Sequence, residues 1–275
     1  MMAMAVDPSS FRMVAEYVRD VSGIVLEPGK EYLVENRLGP MLRDEGLSYA
    51  ALIRKARLDA SGGTRASIIS AVTTNETSFM RDGKPFELFS RRLLPELDLH
   101  CAPSGRPLCI WSAACSTGQE PYSIAMLAKE YFGSLPPSRV HLLATDISQA
   151  ALRIAKAGTY NRAEISRGIS PGRLQSHFRA CRDGWRITAD LRSTVEFKCA
   201  NLHASLDDVG VQDVIFCRNV AIYFSPEDRA RLFRRLGQVL RRDGILMVGT
   251  TESLLDVREV FSREEADGVV FYRKR

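Results

Sequence analysis

The chemistry of this 275-residue chain centres on an apolar run that opens into a loop of small residues. Leu108-Cys109-Ile110-Trp111-Ser112-Ala113 leads into Ala114-Cys115-Ser116-Thr117-Gly118-Gln119-Glu120-Pro121-Tyr122, and a helix is expected from about Tyr122. A first strand, small-residue loop and helix start form the edge at which doubly wound folds bind nucleotides. The G-x-G-x-x-G pattern of a dinucleotide site is absent, and only Gly118 offers a positive φ or a close approach to a ligand. A dehydrogenase needs that approach because a pyrophosphate rests on the helix N-terminus. S-adenosylmethionine has no phosphate, so a loop with one glycine is a smaller objection to it.

A second apolar run ends in Ala144-Thr145-Asp146, placing Asp146 28 residues after Gly118. A carboxylate there can accept hydrogen bonds from both ribose hydroxyls, or it can simply cap the following helix. Asn201-Leu202 stands where an adenine would lie. Cys217-Arg218-Asn219-Val220-Ala221-Ile222-Tyr223-Phe224 closes a later strand on the substrate side, with Tyr223 either facing substrate or packed as a rim aromatic.

Elements must hold these residues in place, and the hydrophobic pattern supplies them. Helical spacing predicts helices over Phe11–Val21, about Lys30–Gly46, Ser48–Leu58 and Phe86–Leu97, with Arg65–Val72 a short stretch before the polar Thr73-Thr74-Asn75-Glu76-Thr77. Beyond Ala102 the period changes. Leu108–Ala113, Val140–Thr145, Asp213–Cys217 and Ile245–Val248 read as buried strands separated by helices, which implies a parallel α/β sheet. A helix follows Phe224, with Ser225 as N-cap, Pro226 at its first position and Gly244 beyond its basic end. Trp185–Thr188 and Thr194–Phe197 read as strands of a small inserted subdomain. The expected organisation is an N-terminal helical domain over 1–72, a linker and connecting helix over 73–98, and an α/β domain over 99–275 with an insert at about 160–200.

Composition narrows the classes. The chain is 45% hydrophobic and 26% charged with a net charge of +5, an ordinary globular balance. The excess sits in residues 150–200, ten basic against four acidic, which suggests a local acidic partner and not a uniformly basic nucleic-acid binder. No apolar run approaches a membrane span, and the N-terminus lacks the pattern of a secretory signal, so a cytoplasmic protein without membrane insertion is expected. The six cysteines form no C-x-x-C pair and are expected to be reduced and mostly buried. No metal-ligand spacing stands out, and a monomer is the default.

Taken together, Thr73-Thr74-Asn75-Glu76-Thr77-Ser78-Phe79-Met80-Arg81, Ser116-Thr117-Gly118-Gln119-Glu120-Pro121-Tyr122-Ser123, Ala144-Thr145-Asp146-Ile147, and Phe216-Cys217-Arg218-Asn219-Val220 with Ile222-Tyr223-Phe224 resemble the chemotaxis receptor methyltransferases, the CheR family. The match runs in order from about Phe11 to the C-terminus. The resemblance implies a Rossmann-like, doubly wound α/β domain binding S-adenosylmethionine, carrying a small β-subdomain and preceded by a small all-α domain. Family members form glutamyl methyl esters on the cytoplasmic helices of methyl-accepting chemotaxis proteins and release S-adenosylhomocysteine. Carried over position by position, Asn75, Thr77, Arg81, Glu120, Asp146, Asn201, Leu202, Arg218 and Asn219 fall at cofactor contacts, and Arg81 and Tyr223 at the catalytic positions.

The resemblance also sets expectations about docking. The family's helical domain docks on acidic receptor helices, and here Lys30, Arg37 and Arg43 can share part of one face of the second helix, or merely be solvated. The Arg179–Thr194 hairpin region is short beside versions that hold a receptor C-terminal pentapeptide, so an enzyme without such a tether is expected. Two other classes are weaker. A nucleic-acid methyltransferase fits the basic block, but the sequence after Asn219 lacks paired prolines and no Cys follows a Pro. A non-catalytic S-adenosylmethionine sensor would not need Arg81 and Tyr223.

Overall fold

The structure, a computed structural model, describes residues 6–275. Four helices form the N-terminal unit: α1 (Pro8–Ser22), α2 (Glu31–Glu45), α3 (Tyr49–Leu58) and α4 (Gly63–Val72). Asp7 caps α1 by accepting from the amides of Ser9 and Ser10, and Ser48 caps α3. Phe11, Val14, Val18, Leu38, Leu52 and Ile68 bury one face of each helix in a core of their own. The stretch before Thr73 is therefore a full helix, longer than its sequence suggests.

The connecting segment is helical without a break from Lys84 to Cys101, with a π-bulge in its middle. It comprises α5 (Lys84–Leu88), a π-helical turn over Phe89–Leu93 and α6 (Leu94–Cys101). Pro95 lacks an N–H, and one residue earlier the Leu94 amide donates to the Phe89 carbonyl, five residues back.

The α/β unit follows as β1 (Leu108–Ala113), α7 (Gln119–Phe132), β2 (Val140–Asp146) and α8 (Gln149–Ala157). An insert then supplies β3 (Thr159–Tyr160), α9 (Arg162–Ser166), α10 (Pro171–His177), β4 (Phe178–Cys181) and β5 (Gly184–Ile187). The chain returns through α11 (Ala189–Thr194), β6 (Val195–Cys199), β7 (Gln212–Cys217), α12 (Pro226–Val239), β8 (Leu240–Val248), β9 (Phe261–Ala266) and β10 (Val269–Lys274).

The main sheet has the order β6-β2-β1-β7-β8-β10-β9, and β3-β5-β4 form a separate three-stranded sheet. The first five strands of the main sheet are parallel, while β10 runs antiparallel to both β8 and β9. The sheet is thus Rossmann-like but mixed, where a parallel one is expected from the sequence. Two other readings change. The strand at Thr194–Phe197 belongs to the main sheet, where Val195 to Cys199 pair with Leu142 to Asp146. Gly244 lies inside β8, because the basic residues Arg241 and Arg242 are already strand.

A carboxylate braces the edge of the sheet opposite the expected site. Asp213, in β7, accepts both arms of the Arg106 guanidinium at 2.7 Å, the Cys109 amide at 2.9 Å, and an ion pair from Arg241 at 3.2 Å. Removing one member of a buried cluster leaves the others uncompensated. Asp213→Ala is expected to lower the unfolding free energy by about 3 kcal/mol, read from urea melts.

All six cysteines are free; Cys101, Cys115 and Cys217 are buried, and Cys199 is exposed. No helix among the described residues is long and apolar enough to cross a membrane.

Candidate active site

The strand order reverses beside β1, where β2 lies on one side and β7 on the other. Ligands of such sheets bind at the carboxyl ends of the strands flanking that point. A cleft partly open to solvent lies there, and all ten residues expected from the sequence line it: Asn75, Thr77, Arg81, Glu120, Asp146, Asn201, Leu202, Arg218, Asn219 and Tyr223.

The backbone around the cleft is held in unusual conformations. Of seven non-glycine residues with positive φ among the described residues, Met80, Asp82, Ala114, Ser116 and Asn219 belong to the segments that build the cleft. Such strain persists only where the surroundings fix it. Here they do. The Met80 amide donates to Ser123 Oγ at 3.0 Å, Ser116 Oγ donates to the Asn75 carbonyl at 2.9 Å, and the Phe79 ring meets Tyr160 and Phe178 edge-on.

Two glycines permit the packing. At Gly118 (φ 96°) a Cβ would stand 2.9 Å from both Ala155 Cβ and the Tyr160 hydroxyl; at Gly168 (φ 122°) it would stand 2.0 Å from the Phe79 carbonyl oxygen. Gly168 thereby lets the inserted subdomain press on the segment that carries Arg81.

Asp146 ends β2 with both oxygens engaged by backbone. Oδ2 accepts the Ser116 amide and Oδ1 the Ser148 amide, each at 2.8 Å. Ser148, not Asp146, is the N-cap of α8, so the capping alternative fails. Burial pushes the Asp146 carboxyl up from its usual range, and the backbone amides partly offset that.

Arg218 ties three of the motifs together. Its guanidinium donates to Asp82 Oδ2 at 2.7 Å, to Glu120 Oε2 at 3.2 Å and to the Arg81 carbonyl at 3.0 Å, and its Cζ lies 5.2 Å from the Phe86 ring centre. Glu120 also accepts from Ser112 Oγ at 2.8 Å. Burial raises the Glu120 carboxyl, with Arg218 and Ser112 acting against it.

Arg81 is different. It is half-buried, donates to the Glu76 carbonyl at 3.1 Å, and pairs with no carboxylate among the described residues. Tyr223 sits on a 3-10 turn over Ala221–Tyr223, and its hydroxyl has no protein partner among those residues. Thr77 is half-buried on the wall.

Other expected residues are shared with the helical unit. Asn201 Nδ2 donates to the Val21 carbonyl at 2.8 Å, while Oδ1 accepts the His203 amide at 2.9 Å, so both ends of its amide are already engaged. Leu202 is buried beside it. Arg37 does not stand free as a docking residue: it donates to the carbonyls of Val72 and Thr73 at 2.7 and 2.8 Å, fastening α2 to the start of the linker.

Sequence reasoning missed several residues. Ile24, Val25 and Leu26, in the α1–α2 connector, line the cleft, and the Val25 amide donates to the Tyr223 carbonyl at 2.8 Å. Asp82 and Glu252 were missed too. Glu252 follows β8 at the carboxyl edge of the sheet, where a polar run such as Thr250-Thr251-Glu252 is a signal in itself.

The donor set fits S-adenosylmethionine. The Glu120 carboxylate suits an ammonium, Asp146 a ribose diol, and Ile147 with Leu202 an adenine face. The buried Nε of Arg218 has no hydrogen-bond partner among the described residues. Among the described residues no group of three or more His, Cys, Asp or Glu side chains is placed to hold a metal.

Comparison with known proteins agrees with this geometry. Residues 75–270 match the CheR methyltransferase, SAM binding domain, and residues 9–73 the CheR methyltransferase, all-alpha domain. The chain belongs to the CheR methyltransferase family. It is 38% identical over 273 residues to chemotaxis protein methyltransferase 1 of Pseudomonas aeruginosa, covering 97% of this chain and 98% of that one. It is 37% identical to the chemotaxis protein methyltransferase of Vibrio anguillarum, covering 99% of each. With the Escherichia coli chemotaxis protein methyltransferase it shares 32% identity over 94% of this chain and 89% of that one.

The family cofactor gives the raised Glu120 carboxyl a measurable consequence. An ammonium placed beside Glu120 would favour its ionised form, and binding would then be coupled to loss of its proton. Affinity for S-adenosylhomocysteine is expected to rise with pH until Glu120 is ionised in the free protein, and to weaken on the acid side from above the ordinary carboxylate range. Calorimetry against pH checks this, and Glu120→Gln should make the profile shallower, leaving the part that belongs to Asp146. For stability the sign is opposite. A carboxyl held above its unfolded value costs the free fold at neutral pH, and that cost is relieved as pH falls through the folded value.

Proposed function

We propose that this CheR-family enzyme esterifies glutamate side chains on the cytoplasmic helices of methyl-accepting chemotaxis receptors, acting in the cytoplasm. The observation that carries this reading is the contrast between the two arginines of the cleft. Arg218 is buried between two carboxylates, whereas Arg81 keeps a half-buried guanidinium with no carboxylate partner among the described residues.

A glutamate carboxylate, with a pKa of about 4.3, is already ionised at neutral pH, so no general base is required. No histidine lines the cleft among the described residues, which suits such a nucleophile. When bound, S-adenosylmethionine supplies a methyl on a positively charged sulfur; transfer joins it to a carboxylate oxygen and leaves a neutral thioether, with no proton changing hands. Arg81 would hold one carboxylate oxygen and leave the other free to attack. Tyr223 would donate a hydrogen bond or pack beside the methyl group. Glu120, Asn75 and Arg218 would grip the methionine part, Asp146 the ribose, and Leu202, with the backbone of Asn201, the adenine. Rate then comes mainly from holding two partners in attack geometry.

The helical unit would supply the docking face, with Lys30 and Arg43 toward acidic helices and Arg37 kept for internal support. The test is incubation with methyl-labelled S-adenosylmethionine and receptor cytoplasmic fragments, followed by peptide mapping. Label on glutamate released as methanol by mild base supports the reading; label stable to base, or carried by nucleic acid, overturns it.

A further inference from the structure

The turn between Arg218 and Phe224 carries two of the residues assigned above, yet little of it is regular structure. It holds a non-glycine residue, Asn219, at φ 56° and a single 3-10 turn. Something outside the turn must fix it. The carboxylate of Glu252, only 8% exposed, is placed to do so. Its Oε1 accepts the amides of Val220 at 3.0 Å and Ala221 at 2.8 Å. Its Oε2 accepts those of Asn219 at 2.7 Å and Gly249 at 2.6 Å. One side chain thus collects four backbone donors and fastens the end of β7 to the end of β8.

The packing leaves no slack. A Cβ at Gly249 would stand 2.7 Å from both Glu252 Oε2 and Asn219 Nδ2. An uncharged amide in place of the carboxylate would turn an NH₂ toward two backbone N–H groups, leaving both without an acceptor whichever way it is flipped.

We propose that Glu252 is a positioning residue for methyl transfer, holding the Asn219–Tyr223 turn so that Asn219 and the Tyr223 ring face the cleft. The proposal rests on the reading of those two residues as cofactor- and substrate-facing. It requires that Glu252 act on rate through Tyr223 and on binding through Asn219.

The experiment is a double-mutant cycle on the full chain with Glu252→Gln and Tyr223→Phe. It reads kcat and KM with receptor fragments, S-adenosylhomocysteine affinity by calorimetry, and melting temperature. Glu252→Gln is expected to lower kcat about 100-fold, as a displacement near 1 Å can. In the Tyr223→Phe background the same change should cost less than about threefold, because residues acting as a unit are not additive. A purely structural role would lower the melting temperature and leave the two losses additive; additive losses, or an unchanged kcat, overturn the proposal. If Glu252→Gln does not fold, Glu252→Asp, which keeps both oxygens but draws them back by one methylene, replaces it in the cycle under the same criteria.

Failure of the underlying reading looks different. If Tyr223→Phe alone is fully active, the Tyr223 hydroxyl has no part in the rate, and Glu252 is judged on binding. A tenfold or greater loss of S-adenosylhomocysteine affinity in the Glu252 variant then supports positioning through Asn219, and unchanged affinity overturns it.

Discussion

Replacing Arg81 with alanine is expected to lower kcat for methyl transfer by about 10³-fold while the protein stays folded, as removal of a preorganised charged donor does. The separation of the two effects follows from how Arg81 is held. Among the described residues its side chain makes one hydrogen bond, to the Glu76 carbonyl, and no carboxylate depends on it. Losing it strands no buried charge, so the stability cost should be about 1 kcal/mol or less. The segment itself stays fixed, because Phe79 remains packed against Tyr160 and Phe178 and the Met80 amide remains on Ser123. What disappears is the fork that would orient a glutamate carboxylate. Arg81→Lys keeps the charge but not the bidentate geometry and is expected to recover only a small part of the rate. Rates with receptor fragments, beside a thermal melt, decide the matter; a folded and active Arg81→Ala protein would remove the central assignment.

The parts of this site that were legible in the sequence are those set by short local rules. Asp146 and the Ala114–Gly118 loop follow from the end of a buried strand, and the residues of the fourth motif from the end of another. The helix cap at Ser225 was equally readable, since its side chain does accept the Asp228 amide. Less local features were not. The hairpin of β9 and β10 hides because β9 is an edge strand carrying Arg263, Glu264 and Glu265, and edge strands are kept charged. Its turn signal, Asp267-Gly268, lay in the sequence without an apolar run on its first side to give it meaning.

Thr194–Phe197 misled for another reason. A strand pattern records burial and β-propensity but not which sheet the strand joins, and the partner, β2, lies some fifty residues earlier. The contribution of the α1–α2 connector to the cleft is longer-range still. The backbone of Ile24 pairs with that of Phe224, two hundred residues away, and the sequence offers no pattern for that pairing. The helical unit is therefore part of the cleft wall as well as a candidate docking surface.

Asp146→Ala is expected to weaken S-adenosylhomocysteine binding by about 100-fold or more, measured by calorimetry, because two losses coincide. The first is direct. A carboxylate accepting from ribose hydroxyls makes charge-assisted hydrogen bonds worth about 1.5–3 kcal/mol each. The second acts through the loop. Ser116 has φ 51°, and the acceptor for its amide is Asp146 Oδ2. Without that acceptor the loop is free to relax, although Ser116 Oγ still reaches the Asn75 carbonyl. Asp146→Asn separates the two contributions. Its one oxygen can keep either the Ser116 or the Ser148 amide but not both, so its affinity should fall between those of the parent and the alanine variant. Burial already holds the Asp146 carboxyl above its usual range, so the asparagine variant should retain its binding into more acidic solution than the parent does. Unchanged affinity in Asp146→Ala would mean that the ribose lies elsewhere in the cleft.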